Sequence, residues 1–206
     1  MIAIACAFFA ASARAGEPVR LVALGDSLTA GFELAGRNAF PAKLQAALKA
    51  RGRDVVIENA GVSGDTARGG LDRLDWSVPP GTQGVILELG ANDMLRGIDP
   101  AITRKALEEI LMRLKARGVP VLLCGMKAAS NLGADYVRAF DAIYPELAER
   151  FGLVLYPFFL EGVIGQTRLT LPDGLHPSEE GVEAIVQGIL PFAEQFVDRI
   201  GAGQKG

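Results

Sequence analysis

The sequence is poor in histidine, cysteine and net charge, and each shortage narrows the functions open to the protein. One histidine and two cysteines among 206 residues are too few to ligate a structural zinc cluster. The net charge is −3 and no run of Lys or Arg offsets it, which argues against a nucleic-acid partner. We therefore predict no metal, no cofactor and no nucleic acid. Any imidazole chemistry must use the one histidine, His176.

Long apolar runs are missing beyond the N-terminus, so we predict no membrane span in the mature chain. Residues 1–15 are apolar and end in Ala13-Arg14-Ala15, the small-x-small pattern that signal peptidase accepts. No basic residue precedes this segment, and an uncleaved apolar helix is therefore the alternative. We predict an export signal at 1–15, a periplasmic or secreted product, and a single domain over 16–206.

Cleavage of that signal would remove Cys6 and leave Cys124 as the one cysteine of the mature chain. No disulfide could then form within it. Cys124 ends the apolar run Val121-Leu122-Leu123-Cys124, and we expect it to be a small core residue. The sequence does not indicate an oligomeric state.

Short apolar strands alternate with amphipathic helices from Val19 onward. The clearest helix follows Asp99 as N-cap and ends before Gly118. Pro145 predicts a break in a helix over 136–150, and Pro191 a disturbance in the last helix. The predicted strands are Val19–Leu24, Val55–Ile57, Val85–Leu89, Val121–Cys124 and Leu153–Tyr156. Because each helix must return the chain over the sheet, this alternation predicts an α/β protein, a three-layer α/β/α sandwich with a five-stranded parallel sheet.

Polar loops follow four of the predicted strands. In parallel sheets the carboxyl ends of the strands meet at one edge, where ligands bind. We therefore expect the four loops to form one site. They are Gly25-Asp26-Ser27, Asn59-Ala60-Gly61-Val62-Ser63-Gly64-Asp65-Thr66, Gly90-Ala91-Asn92-Asp93 and Asp173-Gly174-Leu175-His176.

These loops contain the side chains that acyl transfer requires. Ser27 can act as a nucleophile if a base takes its proton, and an imidazole, with a reference pKa of ~6.5, suits that role. Asp173, three residues before His176, could orient the ring through its other nitrogen. The N–H groups of Ser27 and Gly64 and the side-chain amide of Asn92 could form an oxyanion hole. Taken singly, each motif also fits an ordinary turn or helix cap.

In their order and content, these four blocks resemble the SGNH (GDSL) hydrolase family, and in particular its exported arylesterase, thioesterase and lysophospholipase branch. The resemblance extends from about Val19 to Pro191. It implies a flavodoxin-like sheet of order 2-1-3-4-5 and no metal. It also implies a triad of Ser27, Asp173 and His176, and an oxyanion hole of Ser27, Gly64 and Asn92. One departure is the segment 75–83, which carries two prolines and a glycine and which in relatives borders the acyl site.

We therefore expect a serine esterase that forms an acyl-enzyme on Ser27. Aryl or acyl esters are the expected substrates, with acyl thioesters and lysophospholipids as further candidates, so the partner is a small-molecule ester or lipid. A carbohydrate-ester deacetylase and a non-catalytic acyl- or lipid-binding protein are the alternatives. The role of Asp26 and the acyl chain length stay open. The apolar residues expected to contact the acyl or aryl group, unless they lie in the core, are Leu28, Phe32, Leu95, Ile98, Phe159 and Leu175.

Overall fold

Five parallel strands form one sheet in the computed structural model, which describes residues 17–203. The strand order is β2-β1-β3-β4-β5, as the resemblance implied. The predicted export signal at 1–15 lies outside the described residues. The strands are β1 (Val19–Gly25), β2 (Val55–Gly61), β3 (Gly84–Glu88), β4 (Val121–Cys124) and β5 (Val154–Tyr156).

Helices connect the strands and cover both faces of the sheet, which confirms the three-layer architecture. Helices α2 and α9 pack together on one face, and α3, α6 and α8 pack on the other. With helices on both sides, β3 and β4 are buried along their whole length, so apolar runs replace the alternation of a half-exposed strand. The helices are α1 (Ser27–Ala30), α2 (Phe40–Ala50), α3 (Ala67–Asp72), α4 (Leu74–Ser77), α5 (Ala91–Leu95), α6 (Pro100–Ala116), α7 (Ala134–Asp141), α8 (Ile143–Phe151) and α9 (Glu179–Gly203).

Pro145 and Pro191 have different effects on their helices. The predicted break is confirmed at Ala142, which separates α7 from α8, and Pro145 lies in the first turn of α8, where its missing N–H is not needed. The predicted disturbance at Pro191 is wrong, because α9 is one continuous helix of 25 residues with Pro191 in its interior. Pro191 is exposed, whereas neighbours such as Ile189 and Ala193 are buried. Their packing offsets a proline cost of ~3 kcal/mol.

Helix α9 is also the longest helix in residues 17–203. Among the helices of that range, none combines the length and the hydropathy that a bilayer crossing requires.

One row of residues crosses the carboxyl-terminal edge of the sheet. Gly25 of β1 pairs with Gly61 of β2 and with Glu88 of β3. Glu88 in turn pairs with Cys124 of β4, and Cys124 with Tyr156 of β5. The loops that follow these strands therefore all begin at the carboxyl-terminal edge of the sheet.

Candidate active site

The strand β1 ends in a tight turn that places Ser27 at the edge of the sheet. Asp26 is the N-cap of α1, because its Oδ1 accepts the N–H of Leu28 at 3.0 Å. Ser27 is the first residue of α1 and is 8% exposed. Gly25 is required before this turn, since an added Cβ would lie 2.1 Å from the Thr29 hydroxyl oxygen. The turn thus presents the serine hydroxyl at a crowded, largely dry position.

Ser27, His176 and Asp173 form a continuous chain of polar contacts. The Oγ atom of Ser27 lies 2.9 Å from Nε2 of His176. The other ring nitrogen, Nδ1, lies 2.5 Å from Oδ2 of Asp173. With the proton on Nδ1, the imidazole donates to the carboxylate and its Nε2 can accept the serine proton. This is the geometry that nucleophilic catalysis by a serine requires.

A closed loop holds the carboxylate and the imidazole together. Leu171 N–H donates to the carbonyl of His176 at 2.7 Å, which closes the loop at its base. At its tip, Oδ1 of Asp173 accepts the N–H groups of Leu175 (2.9 Å) and His176 (3.0 Å). The side-chain hydrogen bond to His176, with these two N–H groups, lowers the pKa of Asp173 to about 2. The residue is therefore an ionised acceptor across the physiological pH range.

Phe32 packs against the imidazole. Its ring stacks on His176 with the centroids 4.3 Å apart and an interplanar angle of 29°. Phe32 is 37% exposed, so one edge of the ring faces solvent at the site. The sequence pointed to Phe32 as an apolar residue near the acyl group, but it contained no signal for the stack.

The three predicted oxyanion-hole donors differ in their hydrogen bonding. Two are backbone N–H groups without a partner in the described part of the chain, and the third is a side-chain amide that already donates to other groups. Within residues 17–203, the N–H groups of Ser27 and Gly64 donate to no other protein group. Gly64 has a φ of +84°, and an added Cβ would meet no atom closer than 3.6 Å, so backbone conformation rather than crowding favours glycine here. The Nδ2 atom of Asn92 donates to Oδ2 of Asp26 at 3.1 Å and to the Asp65 carbonyl at 3.0 Å. Asn92 would therefore share one of its hydrogens with an oxyanion.

Asp26, whose role the sequence left open, accepts two hydrogen bonds through its side chain. It caps α1 through Leu28 and fixes the amide of Asn92. Asp26 is fully buried, and burial raises its pKa to about 6 although hydrogen bonds and the charge of His176 act in the opposite direction. The carboxyl group therefore connects the turn at Ser27 to one predicted oxyanion donor.

Arg73 is a further residue of the site that sequence reasoning missed. Its guanidinium donates to the carbonyls of Gly25 (2.8 Å) and Ala60 (2.9 Å) and pairs with Asp65 at 2.6 Å. These contacts tie the end of β1 to the loop that carries Gly64. An arginine near a helix end commonly faces solvent, so no local pattern indicated this arrangement.

The residues expected to contact an acyl or aryl group divide into three sets. Leu28 is buried but lines a shallow cleft beside Ser27. Leu95, at the end of α5, and Leu175, on the loop before α9, are about half exposed at the same sheet edge, and Ile98 is partly buried. Phe159, by contrast, is fully buried and packs edge-on against Phe40. The structure therefore places Phe159 in the core and not at the mouth of the site.

None of the residues of segment 75–83 lines the cleft beside Ser27. The segment leads into Gly84, the first residue of β3, and so lies at the amino-terminal edge of the sheet. Gln83 and Arg20 hydrogen bond there through N–H and carbonyl groups at 2.8 Å. At the start of the segment, Ser77 accepts a hydrogen bond from Arg73 at 2.8 Å. That the segment borders the acyl site, as it does in relatives, stays a prediction. A cavity of about 320 Å³ at the same edge, lined by Leu111, Phe151 and others, contains none of the polar loop residues.

A doubly wound parallel sheet with a Ser-His-Asp chain at its carboxyl edge defines a serine hydrolase. More narrowly, the chain belongs to the GDSL-like lipase/acylhydrolase family, whose model matches residues 23–184. This confirms the family that the four sequence blocks resemble.

Relatives with named activities cover most of the chain. An arylesterase of Vibrio mimicus is 39% identical over 174 residues, which are 84% of this chain and 87% of the relative. The Thioesterase 1/protease 1/lysophospholipase L1 of Escherichia coli strain K12 is 38% identical over 186 residues, 90% of this chain and 88% of that protein. Among solved structures, AlinE4, an SGNH-hydrolase family esterase, is 44% identical with a TM-score of 0.75, and the match covers 88% of this chain and 97% of AlinE4.

Proposed function

We propose that the protein hydrolyses carboxylic esters through an acyl-enzyme on Ser27. The observation that carries this proposal is the unbroken chain from Asp173 through His176 to Ser27, with contacts of 2.5 and 2.9 Å. The membership in a family of acylhydrolases supports the same reaction class.

The reaction begins when Ser27 Oγ attacks the ester carbonyl carbon and its proton passes to Nε2 of His176. Asp173 holds the Nδ1 proton and stabilises the imidazolium. The N–H groups of Ser27 and Gly64, with the amide of Asn92, receive the charge on the former carbonyl oxygen, and each such donor typically contributes about 3 kcal/mol to transition-state stabilisation. His176 then protonates the leaving alcohol, and the C–O bond to it breaks.

Deacylation repeats these steps with water. His176 takes a proton from water, the resulting hydroxide attacks the acyl-enzyme, and Ser27 Oγ leaves with the proton that Nε2 returns. The products are an alcohol and a carboxylic acid. No metal or cofactor takes part in this scheme.

The substrate is an aryl or acyl ester, with thioesters and lysophospholipids as further candidates. Two observations support this class. The first is that the named relatives are an arylesterase and a thioesterase/lysophospholipase. The second is that Leu28 lines the cleft beside Ser27, while Leu95 at the end of α5 and Leu175 on the loop before α9 offer exposed apolar surface. Export to the periplasm or medium is part of the proposal and rests on the apolar segment at 1–15.

The test is hydrolysis of p-nitrophenyl esters of increasing acyl length by the wild-type protein and by Ser27→Ala. We expect Ser27→Ala to lose hydrolysis and labelling by a fluorophosphonate while it keeps its fold. Ser130→Ala, at an exposed turn, is the matched control and should behave as wild type. Wild-type rates in Ser27→Ala would refute the assignment.

Two outcomes of the same panel would favour the alternatives. Cleavage of acetylated sugars in preference to acyl esters would indicate a carbohydrate-ester deacetylase. Acyl binding by a wild-type protein that neither hydrolyses esters nor reacts with the fluorophosphonate would indicate a non-catalytic binder.

A further inference from the structure

Glu88 is a buried carboxyl group that none of the steps above uses. It is the last residue of β3 and pairs in register with Gly25, the residue before the nucleophile turn. Glu88 and Asp26 are both 0% exposed. Two acidic side chains thus lie next to each other, without solvent, directly beneath Ser27.

The two oxygens of Glu88 have different surroundings. Oε2 accepts the hydroxyl of Thr29 at 2.7 Å and the N–H of Asp26 at 3.3 Å. Oε1 is buried and receives no hydrogen bond from any residue in 17–203. A carboxylate would leave charge on an oxygen without a donor, which is strongly unfavourable in a dry site. A proton on Oε1 removes that charge and leaves both contacts of Oε2 intact.

Among residues 17–203, no positive group offsets a charge on Glu88. The groups that face it or interact with it electrostatically are the carboxyl of Asp26, the hydroxyl of Thr29 on α1, the thiol of Cys124 on β4 and the hydroxyl of Tyr144 on α8. Burial, followed by the charge of Asp26, raises the pKa of Glu88 well above its usual range. The hydrogen bonds from Thr29 and Asp26 act in the opposite direction but are the smaller effects, so the surroundings of Glu88 favour its neutral form.

Asp26 is the member of the pair that accommodates the negative charge. Its oxygens accept the N–H of Leu28 and the amide of Asn92, and the charge of His176 also favours its ionised form. Two adjacent buried carboxyls cannot both ionise at low cost. At neutral pH the charge therefore resides on Asp26 and the proton on Glu88.

Glu88 and Asp26 are tightly packed against their neighbours. A Cβ on Gly25 would come within 2.6 Å of Glu88 Oε2 and 2.1 Å of the Thr29 hydroxyl oxygen. A shift of the Glu88 side chain would therefore move α1, which begins with Ser27, and also Asp26, which fixes Asn92.

We propose that Glu88 is a positioning residue that stays protonated at neutral pH and, as a neutral acid, holds Asp26 and Thr29 so that Ser27 and the Asn92 amide point at the reacting carbonyl. This inference rests on the proposed serine mechanism. It adds to that mechanism a supporting group that touches neither the substrate nor the reacting atoms.

Two substitutions test whether Glu88 acts as a neutral hydrogen-bonding group, and not through a negative charge or by filling space. Glu88→Gln keeps a carbonyl oxygen for Thr29 and Asp26 and replaces the Oε1 hydroxyl with an N–H donor, so kcat should stay within about threefold of wild type. Glu88→Leu leaves two buried donors without an acceptor, and kcat should fall about 10- to 100-fold with little change in KM. Glu58→Gln, at an exposed position on the edge strand, is the control.

Rates are measured per active site, counted with a fluorophosphonate, at a temperature where each variant is folded. Loss of kcat in Glu88→Gln as large as in Glu88→Leu would overturn the neutral role. Wild-type kcat in Glu88→Leu, with only a lower melting temperature, would overturn the positioning role.

An infrared measurement on the wild-type protein does not depend on how the leucine variant folds. At neutral pH the spectrum should contain the carbonyl stretch of a protonated carboxylic acid. This band should be missing in Glu88→Gln and present in Glu58→Gln, and its absence from the wild type would refute the proposal. The band is also independent of catalysis: a protein that shows it but does not hydrolyse esters would contradict the proposed function and not the protonation of Glu88.

Discussion

Replacing Asp173 with Asn tests the contact on which the proposed mechanism depends. Oδ1 of Asp173 accepts two backbone N–H groups, from Leu175 at 2.9 Å and His176 at 3.0 Å. The amide oxygen of an asparagine is expected to keep this place, because an amide nitrogen there would face two donors. The amide nitrogen then occupies the position of Oδ2, 2.5 Å from Nδ1 of His176.

The consequence is a change of imidazole tautomer. An amide nitrogen donates, so Nδ1 must become the acceptor and the ring proton must move to Nε2. That nitrogen lies 2.9 Å from Ser27 Oγ and can then no longer accept the serine proton. We expect kcat to fall by about 10³- to 10⁴-fold, the size of the effect in serine proteases with this exchange, or about 4–5.5 kcal/mol in activation free energy. Asp173 is exposed, so stability should change little.

The assay is p-nitrophenyl ester hydrolysis, with protein folding followed by thermal melting. Asp135→Asn, an exposed aspartate on α7 whose partner is Arg138, is the matched control and should keep wild-type activity. An Asp173→Asn variant within about tenfold of the wild-type kcat would refute the tautomer argument. Since the pKa of Asp173 is about 2, this carboxyl group is ionised throughout the range from about pH 5 to 8, and a loss of wild-type kcat/KM toward acid pH in that range cannot come from its protonation. A profile that is flat from about pH 5 to 8 would contradict the role of the imidazole.

Three further predictions concern residues that support the site: Gly90, Arg73 and Asp26. Gly90 has a φ of +117° and an added Cβ would lie 2.1 Å from Tyr144 Oη, so Gly90→Ala should lower the free energy of unfolding by about 2–4 kcal/mol in urea titrations. Arg73→Met breaks the largely buried pair with Asp65 and should cost about 3–5 kcal/mol in the same assay; an unchanged midpoint would show that the pair is not stabilising. Because the native state raises the pKa of Asp26 from 3.8 to about 6, it holds that proton to higher pH than the unfolded chain, and stability should be lost as pH rises through this window. Asp26→Asn should show a weaker loss between about pH 4 and about pH 7, and equal losses in the two proteins would contradict the raised pKa.

Local patterns predicted most of the elements that place the site. The strand β4 has the predicted bounds Val121–Cys124, and α6 begins after the N-cap Asp99. The segment at 55–57 extends to Gly61 in the structure, because pairing with β1 continues to the end of that strand. This part of β2 is polar and lacks an apolar run, so periodicity alone ended the strand too early.

Effects that depend on packing could not be predicted in the same way. Pro191 does not interrupt α9, because the buried side of the helix rests on the sheet. Phe159 and Leu95 are both apolar residues a few positions after a strand ends, yet Phe159 is buried and Leu95 is 54% exposed. An apolar residue type fits a core position and a position at the entrance of the site equally well. Only the path of the folded chain decides which of the two positions the residue occupies.

The sequence by itself determined the fold class, the family and the four blocks that carry the site, because strand and helix periodicity, turn residues and motif order are properties of short segments. Only the tertiary structure decided how those blocks meet. Distances between Ser27 and His176, which are 149 positions apart, depend on strand order and register. Two other contacts depend on strand order and register in the same way. They are the hydrogen bond from the Arg73 guanidinium to the Gly25 carbonyl and the hydrogen bond from the Asp26 N–H to Glu88. A buried carboxyl group acquires its role from the donors that surround it, and those donors come from other strands and helices.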